Sequence, residues 1–378
     1  MNRMFLLFLS MLGVYLTLAA SSDKRPGAAL QAQTSQQCCC KGLSGGRGMS
    51  AMGGSQMCGG LRGGRGMGMG MGAFTPLPAD FAMDTNPIPP AQVELGRMLF
   101  FEKRLSANGR LSCNSCHDLA TYGVDHQPTS TGYRDQKGTR NSPTVYNAAG
   151  YFAQFWDGRA PTVEEQAKGP ILNPVEMAMP SETAAVAALK SIPEYVARFG
   201  AAFPDSSDPL TFDNIAVAIA AFERKLVTPS RWDRFLAGDQ NALSRQEQAG
   251  FHRFMHTGCA SCHFGTFVGG RAYEKLGEAQ PYPDSADLGR FQVTKDASDR
   301  MLFKVPSLRN VEQTAPYFHN GKVATLDEAV AKMGKYQLGV NLSPAERAQI
   351  IGWLKTLTGA LPAQYIAEPR LPEDAGSR

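Results

Sequence analysis

Two short cysteine motifs constrain the fold of this chain more than any other feature. Residues 113–117 read CNSCH and residues 259–263 read CASCH. With this spacing, two thiols can add to the two vinyl groups of one haem, and the adjacent histidine can ligate the iron. Two covalently bound c-type haems are therefore predicted. The residues that would bind them are Cys113, Cys116, His117, Cys259, Cys262 and His263.

Zinc ribbons and disulfides also use pairs of cysteines, so both are alternatives to haem. A zinc ribbon does not need a histidine directly after each cysteine pair, however. Haem attachment explains both histidines, and we favour it for both motifs.

The N-terminal 22 residues have the layout of a secretory signal. A basic residue at Arg3 is followed by an apolar stretch over residues 4–20 and by two serines. The apolar stretch is also near the minimum length for spanning a bilayer, so an uncleaved membrane anchor is the alternative. Both alternatives place the bulk of the protein in the periplasm or at the cell surface.

Residues 23–73 are rich in glycine and methionine and poor in bulky branched side chains. Such a stretch cannot bury enough apolar surface to offset the entropy of ordering it, which predicts a flexible linker. Its sulfur atoms could alternatively bind Cu(I), a soft ion that prefers sulfur ligands. The cysteines concerned are Cys38, Cys39, Cys40 and Cys58.

The chain has 378 residues, of which 43% are hydrophobic, enough for about two domains of ordinary size. We expect an N-terminal haem domain over residues 74–240, a C-terminal haem domain over residues 241–365 and a tail over residues 366–378. The 38 Lys and Arg residues nearly balance the 34 Asp and Glu residues, without long runs of like charge. No nucleic-acid binding is therefore predicted.

Helices rather than sheets are expected around both motifs, with loops rich in Gly, Pro and Asn. Three capping boxes, each followed by apolar residues at helical spacing, indicate helix starts. They pair Ser244 with Glu247, Thr325 with Glu328, and Ser343 with Glu346. The first of these helices is expected to stop at Gly258, directly before Cys259.

Met333 lies at the end of the second of these predicted helices. The residues that share its apolar face are Leu326, Ala329 and Val330. A methionine in such a place usually belongs to a hydrophobic core. In a domain with one haem histidine it is also a candidate sixth iron ligand, and His/Met ligation raises the reduction potential of a haem.

Three further stretches are similar in sequence to bacterial di-haem cytochrome c peroxidases. They are RNSPTVYNAAGYFAQFWDGRAPTVEEQAKGPILNPVEM at 140–177, VPSLRNVEQTAPYFHNG at 305–321 and AVAKMGKYQLG at 329–339. The resemblance extends from about Phe81 to about Leu361 and includes both cysteine motifs in the family's order. It implies a mainly α fold with two c-type cytochrome-like haem domains and long connecting loops.

The resemblance also implies a function for each motif. The haem at the first motif would be the low-potential haem that reacts with hydrogen peroxide. The haem at the second motif, with Met333 as axial ligand, would be the high-potential haem that accepts electrons. The donor would be a small periplasmic c-type cytochrome or cupredoxin. Dimers are usual in this family, so a homodimer is possible.

Further residues acquire roles through the resemblance alone. Trp156 corresponds to the family's tryptophan between the haems, and Gln166 and Glu176 correspond to its distal pair. A calcium ion would be held by oxygen atoms of Asn141, Thr314 and Pro316.

The chemistry of these residue types fits those roles. Cleavage of the O–O bond of peroxide requires proton transfer, which a distal carboxylate such as Glu176 can perform. The amide of Gln166 can orient peroxide without titrating. Without the resemblance, Glu176 would be read as a solvated surface residue and Trp156 as a core aromatic.

Tyr133 departs from the family pattern. In many members the segment TSTG, here at 129–132, is followed by a histidine that caps the peroxidatic iron until the other haem is reduced. Three alternatives follow for this chain: the iron is open from the start, His126 caps it, or Tyr133 binds it as a phenolate. We favour the open iron, which predicts a peroxidase without reductive activation.

Two other functions are compatible with two haems. Related di-haem enzymes oxidise tryptophans of a precursor protein to build a quinone cofactor, but they carry tyrosine at the position of Met333. A non-enzymatic di-haem electron carrier would need neither Glu176 nor Gln166. These three residues favour the peroxidase.

Overall fold

The structure is a computed structural model that describes residues 71–82 and 87–373. The predicted signal or anchor and most of the predicted linker, including its four cysteines, lie outside these residues. Within the described ranges, no helix is both long enough and apolar enough to cross a membrane.

The described residues are mainly helical, as predicted. Their α-helices are α1 (Pro90–Phe101), α2 (Cys113–Cys116), α3 (Val163–Leu172), α4 (Glu182–Lys190), α5 (Pro193–Ala202), α6 (Phe212–Glu223), α7 (Arg231–Leu236), α8 (Arg245–Thr257), α9 (Phe291–Thr294), α10 (Leu326–Lys332), α11 (Pro344–Leu354) and α12 (Ala363–Ile366). Short 3-10 turns occur at Met71–Ala73, Lys103–Leu105, Leu119–Thr121, Tyr133–Asp135, Ala148–Gly150, Cys259–Ser261, Ala297–Asp299, Val311–Gln313 and Lys355–Leu357.

One small sheet interrupts this helical fold. Strands β1 (Tyr273–Lys275) and β2 (Leu302–Lys304) pair antiparallel, with Tyr273 opposite Lys304. Helices rather than sheets were expected, and this pair was not predicted from the sequence because each strand has only three residues.

Two hydrophobic clusters form the interior. In the first, α1 packs on α6 and α6 on α3. In the second, α8 packs on α11 around an aromatic group. A Cβ at Gly96 would lie 1.8 Å from the carbonyl oxygen of Ala218, and one at Gly250 would lie 2.1 Å from that of Gln349. Glycine at these two positions therefore permits the closest helix contact in each cluster.

Each cluster contains residues from both sides of residue 240. Phe74 and Trp232 belong to the second cluster, where Trp232 packs at 5.3 Å from Trp353. Conversely, the ring of Tyr365 stacks at 5.0 Å on Phe222 of the first cluster. The predicted boundary at 240 stays a prediction, and the packing across it ties the two predicted domains together.

Two of the three predicted capping boxes are complete. Ser244 and Glu247 cap α8 reciprocally, and Ser343 and Glu346 cap α11 in the same way. At α10, Thr325 accepts a hydrogen bond from the backbone N–H of Glu328, without a return bond.

The structure agrees with one predicted helix end and differs at another. As predicted, α8 ends before Gly258, whose φ is 97°. The helix leading to Met333 does not continue as an α-helix, because α10 stops at Lys332 and Met333 opens a π-helical turn over Met333–Gln337. Such turns often occur at functional sites.

Candidate active site

The first cysteine motif forms a short capped helix. Ser112 caps α2, and its backbone N–H donates to the hydroxyl of Ser115 at 3.0 Å. The chain then places Nδ1 of His117 3.3 Å from the carbonyl oxygen of Gly123. With Nδ1 held by the backbone, Nε2 is left as the nitrogen that can ligate a metal.

The second cysteine motif follows directly from a long helix. α8 ends at Gly258, and Cys259 begins a 3-10 turn. Nδ1 of His263 lies 3.3 Å from the carbonyl oxygen of Val268. The two histidines therefore have the same backbone partner type at the same distance, although the elements before them differ.

Electrostatics at both motifs suit iron ligation. Burial lowers the pKa of His117 and lowers that of His263 to about 4, so both imidazoles are neutral at pH 7. The four cysteines of the two motifs are free thiols, and burial raises the pKa of Cys116 and that of Cys259 to about 11. Free thiols and neutral histidines fit haem.

Neither alternative to haem finds support in the described part of the chain. Its cysteines form no disulfide. It also contains no group of three or more His, Cys, Asp or Glu side chains arranged to hold a metal ion such as zinc.

A repeated segment follows each motif. It reads PTVYN at 143–147 and PSLRN at 306–310. Oγ of the second residue donates to a backbone carbonyl in both copies, Thr144 to Tyr122 at 2.6 Å and Ser307 to Phe267 at 2.7 Å. This repeat was not recognised from the sequence, although it indicates equivalent structure around the two histidines.

Both copies end in an asparagine that contacts Thr228. Asn147 and Asn310 have left-handed backbone conformations, with φ of 62° and 60°. The side-chain Nδ2 of each donates to Oγ1 of Thr228 at 2.9 Å, and all three residues are fully buried. One hydroxyl oxygen thus joins the segments that follow the two motifs.

A cavity of about 250 Å³ lies beside the second motif. Cys259, Cys262 and His263 line it, and Met333 lines it as well. The other members of the predicted apolar face of Met333 also line this cavity: Leu326, Ala329 and Val330. The structure therefore brings Met333 and His263 to one cavity.

Trp156 lies on the same cavity wall and is held at two points. Its Nε1 donates to the carbonyl oxygen of Asn141 at 2.9 Å. Its own carbonyl oxygen accepts from the backbone N–H of Lys304 at 2.8 Å. Trp156 consequently connects a segment that follows the first motif to a segment that follows the second.

The three residues predicted to hold calcium also line this cavity. Nδ2 of Asn141 donates to the carbonyl oxygen of Gln127 at 2.9 Å, which leaves its Oδ1 available. No hydrogen bond among the described residues uses that oxygen or the main-chain oxygens of Thr314 and Pro316. Oxygen atoms without donors suit a hard cation.

Glu176 lies close to the first motif. Its carboxylate accepts from Nδ2 of Asn173 at 2.9 Å. Burial raises its pKa, while the charge of Arg159 opposes this. Its negative charge contributes to the raised pKa of Cys116, which indicates proximity to that thiol. Gln166 lies in α3, ten residues earlier, and no hydrogen bond joins its side chain to Glu176 within the described structure.

Tyr133 is attached to Glu176 through the backbone. Its N–H donates to the carbonyl oxygen of Glu176 at 2.8 Å, and the guanidinium of Arg134 lies 5.0 Å from its ring centre. His126 is exposed, and its Nδ1 lies 2.9 Å from the carbonyl oxygen of Ala315. The backbone thus joins Tyr133, but not His126, to the segment that carries Glu176.

Two buried charged groups near these sites were not predicted. Glu223 ends α6, and burial, with the nearby Glu164, raises its pKa to about 8. Its charge contributes to the raised pKa of Cys113. Lys304 lines the cavity, and burial lowers its pKa to about 8. Sequence alone gives no sign of their burial, because neither lies in a recognisable motif.

Comparisons with known proteins agree with this geometry. A model of the family "Di-haem cytochrome c peroxidase" matches residues 90–241. Cytochrome c551 peroxidase of Pseudomonas aeruginosa is 48% identical over 306 residues, which cover 79% of this chain and 87% of that protein. Cytochrome c551 peroxidase of Nitrosomonas europaea is 48% identical over 292 residues, covering 77% and 83%.

The fold is also similar to a solved structure of a MauG-like protein associated with microbial copper homeostasis. The TM-score is 0.69 at 29% identity, and the match covers 78% of this chain and 97% of that one. The predicted family, the mainly helical fold and the enzyme class, cytochrome c peroxidase, are confirmed by these similarities. The chain belongs to the di-haem cytochrome c peroxidase family.

Proposed function

We propose that this enzyme reduces hydrogen peroxide to water in the periplasm. Each peroxide consumes two electrons and two protons and gives two molecules of water. The electrons come singly from a small redox protein, a c-type cytochrome or a cupredoxin, enter at the second motif and pass to the first. The names of the relatives from Pseudomonas aeruginosa and Nitrosomonas europaea support a cytochrome as donor.

The two motifs would hold one haem each. Their cysteines would attach it covalently, and His117 and His263 would ligate the iron through Nε2. Bound in this way, haem would supply the one-electron chemistry that the side chains of this protein cannot. The matching Nδ1 to carbonyl distances of 3.3 Å support both assignments.

Glu176 moves the protons at the first motif, and its position is the observation that carries the proposal. Its buried carboxyl has a raised pKa, and a carboxyl placed there can take a proton from one peroxide oxygen and give one to the other. Gln166 orients the peroxide. The bond between Asn173 and Glu176 holds the carboxyl in place, and the electrostatic effect of its charge on the pKa of Cys116 supports a location near the first motif.

Neither His126 nor Tyr133 would cap an iron held at the first motif. His126 supports this proposal because its Nδ1 contacts the carbonyl oxygen of Ala315 rather than a haem site. Tyr133 contributes its backbone to the position of Glu176, and its ring has the guanidinium of Arg134 as neighbour. Neither side chain then needs to leave the iron.

The cavity beside the second motif would receive the electron-accepting haem. Met333 would be the second ligand of its iron, supported by the wall that Met333 shares with His263. Trp156 lies between the two sites as an electron relay, with both of its polar ends hydrogen-bonded. Calcium, held by Asn141, Thr314 and Pro316, fixes the loops around Trp156.

The test is peroxide turnover with reduced cytochrome c as donor. Protein kept fully oxidised is compared with protein given one electron in advance, and the spin state of each haem is recorded. We expect equal initial rates and a high-spin haem at the first motif. The variant Tyr133→His should introduce a lag that pre-reduction removes.

A lag in the unaltered protein would contradict the open iron, and the variants His126→Ala and Tyr133→Phe would then identify the cap. Absence of turnover in every state would contradict the peroxidase function itself. A quinone-forming oxidase and a pure electron carrier remain less well supported, because Met333 and Glu176 both have placements that suit the peroxidase.

A further inference from the structure

Lys304 is a buried cation without an anionic partner in the described structure. It is 7% exposed and lies at the end of β2, on the wall of the cavity beside the second motif. Its Nζ lies 4.6 Å from the ring centre of Tyr151, and no hydrogen bond or ion pair to this Nζ occurs among the described residues. A buried ammonium is costly unless an anion compensates it.

Arg309, a buried cation near Lys304 in sequence, has the kind of anionic partner that Lys304 lacks in the described structure. Arg309 is 1% exposed, and its guanidinium contacts the carboxylate of Asp233 at 2.8 Å. It also donates twice to the carbonyl oxygen of Thr266, at 2.9 and 2.7 Å. Arg309 is therefore compensated by an anion, whereas Lys304, five residues earlier, has none among the described residues.

The lining of the cavity does not provide the missing anion. Its one acidic residue in the described structure is Glu274. Glu274 stands opposite Phe303 in the sheet, whereas Lys304 stands opposite Tyr273. Since side chains of adjacent strand residues alternate between the two faces, Glu274 and Lys304 project to opposite faces. The described residues therefore supply no anion to Lys304.

We propose that Lys304 is the counter-ion of a carboxylate group of the haem bound at Cys259, Cys262 and His263. Haem carries two carboxylates, and the cavity that would receive it is the one that Lys304 lines. The backbone N–H of Lys304 donates to Trp156, so this ion pair also fixes the strand that holds the proposed relay. The inference rests on the proposed haem site at the second motif.

The pairing has a direct consequence for electron transfer. Reduction of the iron adds one negative charge to the site, and a fixed cation in a dry cavity favours the reduced form. Lys304 therefore raises the reduction potential of the second haem and leaves the first haem nearly unchanged.

The experiment is a spectroelectrochemical titration of the holoenzyme and of Lys304→Met, with haem content measured in each. We expect the reduction equilibrium constant of the second haem to fall about tenfold, a shift of about 59 mV for a one-electron couple. Lys304→Arg keeps the charge and should shift the constant less than threefold. The control is Lys295→Met, an exposed lysine outside the cavity lining, which should also shift it less than threefold.

Equal shifts in Lys304→Met and Lys295→Met would overturn the inference, as would a shift in Lys304→Arg as large as that in Lys304→Met. If Lys304→Met is not obtained folded, Lys304→Gln replaces it with the same expectation. Added inorganic phosphate should leave the potential of the unaltered enzyme unchanged. A phosphate-dependent shift that Lys304→Gln abolishes would instead mean that Lys304 binds a soluble anion, which contradicts a haem carboxylate.

Failure of the proposed function would look different. If the second motif binds no haem, the unaltered protein contains one haem and gives one reduction step. If it binds haem without a role for Lys304, two haems are present and the titrations of all variants coincide.

Discussion

The two haem motifs share a local plan and differ in the charge buried near them. At both, a histidine Nδ1 lies 3.3 Å from a carbonyl oxygen, and a repeated segment ends in an asparagine that contacts Thr228. Near the first motif the structure buries the acid Glu223, whose pKa is raised to about 8, and near the second it buries the base Lys304. Equivalent backbones thus surround ionisable groups of opposite type.

This difference bears on the reduction potentials expected at the two motifs. A buried cation favours the reduced form of a nearby haem, whereas a carboxyl with a pKa of about 8 is mostly neutral at pH 7 and adds little charge. The surroundings of the first motif also include the proton-transferring candidate Glu176, whereas the cavity at the second is lined by the soft ligand candidate Met333. The same attachment chemistry can therefore serve catalysis at one motif and electron storage at the other.

Removal of the attachment cysteines should have the largest effect, because the altered motif can no longer attach its haem. Cys113→Ala with Cys116→Ala, and separately Cys259→Ala with Cys262→Ala, should each reduce the haem content from two to one and abolish peroxide turnover. The remaining reduction step should be high in the first variant and low in the second. Haem content and potentiometry check this, and identical steps in both variants would show that the two sites are equivalent.

Glu176→Gln should have the next largest effect, because it removes the proposed proton-transferring group near the first motif. Without a group that transfers protons, turnover should fall by about 100-fold or more, while both reduction potentials stay nearly unchanged. Steady-state kinetics at saturating donor measure this. Glu165→Gln, which alters an exposed acid of α3 paired with Lys168, is the control and should change turnover less than about twofold. Comparable rates for the two variants would remove Glu176 from the mechanism.

Thr228→Val should weaken the link between the two regions. The change leaves Nδ2 of Asn147 and Nδ2 of Asn310 buried without an acceptor, at a cost of about 2–4 kcal/mol in the free energy of unfolding. Denaturant unfolding measures the loss, and Thr228→Ser, which keeps the hydroxyl, should retain most of the stability. A loss below about 0.5 kcal/mol in Thr228→Val would mean that the shared oxygen is dispensable.

Glu223→Gln should have the smallest effect, seen in the pH dependence of stability. The pKa of Glu223 in the folded protein, about 8, lies above its ordinary value of 4.5. Between these values the folded state binds more protons than the unfolded state, so stability falls as pH rises from about 4.5 to about 8. Urea unfolding at pH 5 and pH 8 should show a smaller fall for Glu223→Gln. If the stability of Glu223→Gln and of the unaltered protein falls equally between pH 5 and pH 8, the Glu223 carboxyl is solvated rather than buried.

Short-range features of the structure could be read from the sequence. The capping of α8 and α11 and the end of α8 before Gly258 depend on residues within one or two helical turns. The apolar face that leads to Met333 was also visible as a spacing. The π-helical turn at Met333 was not, because spacing alone does not distinguish it from a continuing α-helix.

Long-range features could not be read in this way. Thr228 lies 81 residues from Asn147 and 82 from Asn310, and nothing in a single hydroxyl indicates two distant partners. Lysine is usually a surface residue, so the sequence does not indicate that Lys304 is buried beside Tyr151. The roles of Glu176, Gln166 and Trp156 came from family resemblance, since their chemistry alone suits many other places in a protein.

The contact between Thr228 and two asparagines has a consequence for the order in which the enzyme matures. Asn147 and Thr228 leave the ribosome together in the first part of the chain, whereas Asn310 follows later. A fragment that ends at residue 240 keeps the earlier bond. A fragment that starts at 241 lacks Thr228, and it also lacks Trp232 and Phe235 of its hydrophobic cluster. The N-terminal part therefore carries groups that the C-terminal part needs, and the C-terminal part can pack on them as it leaves the ribosome.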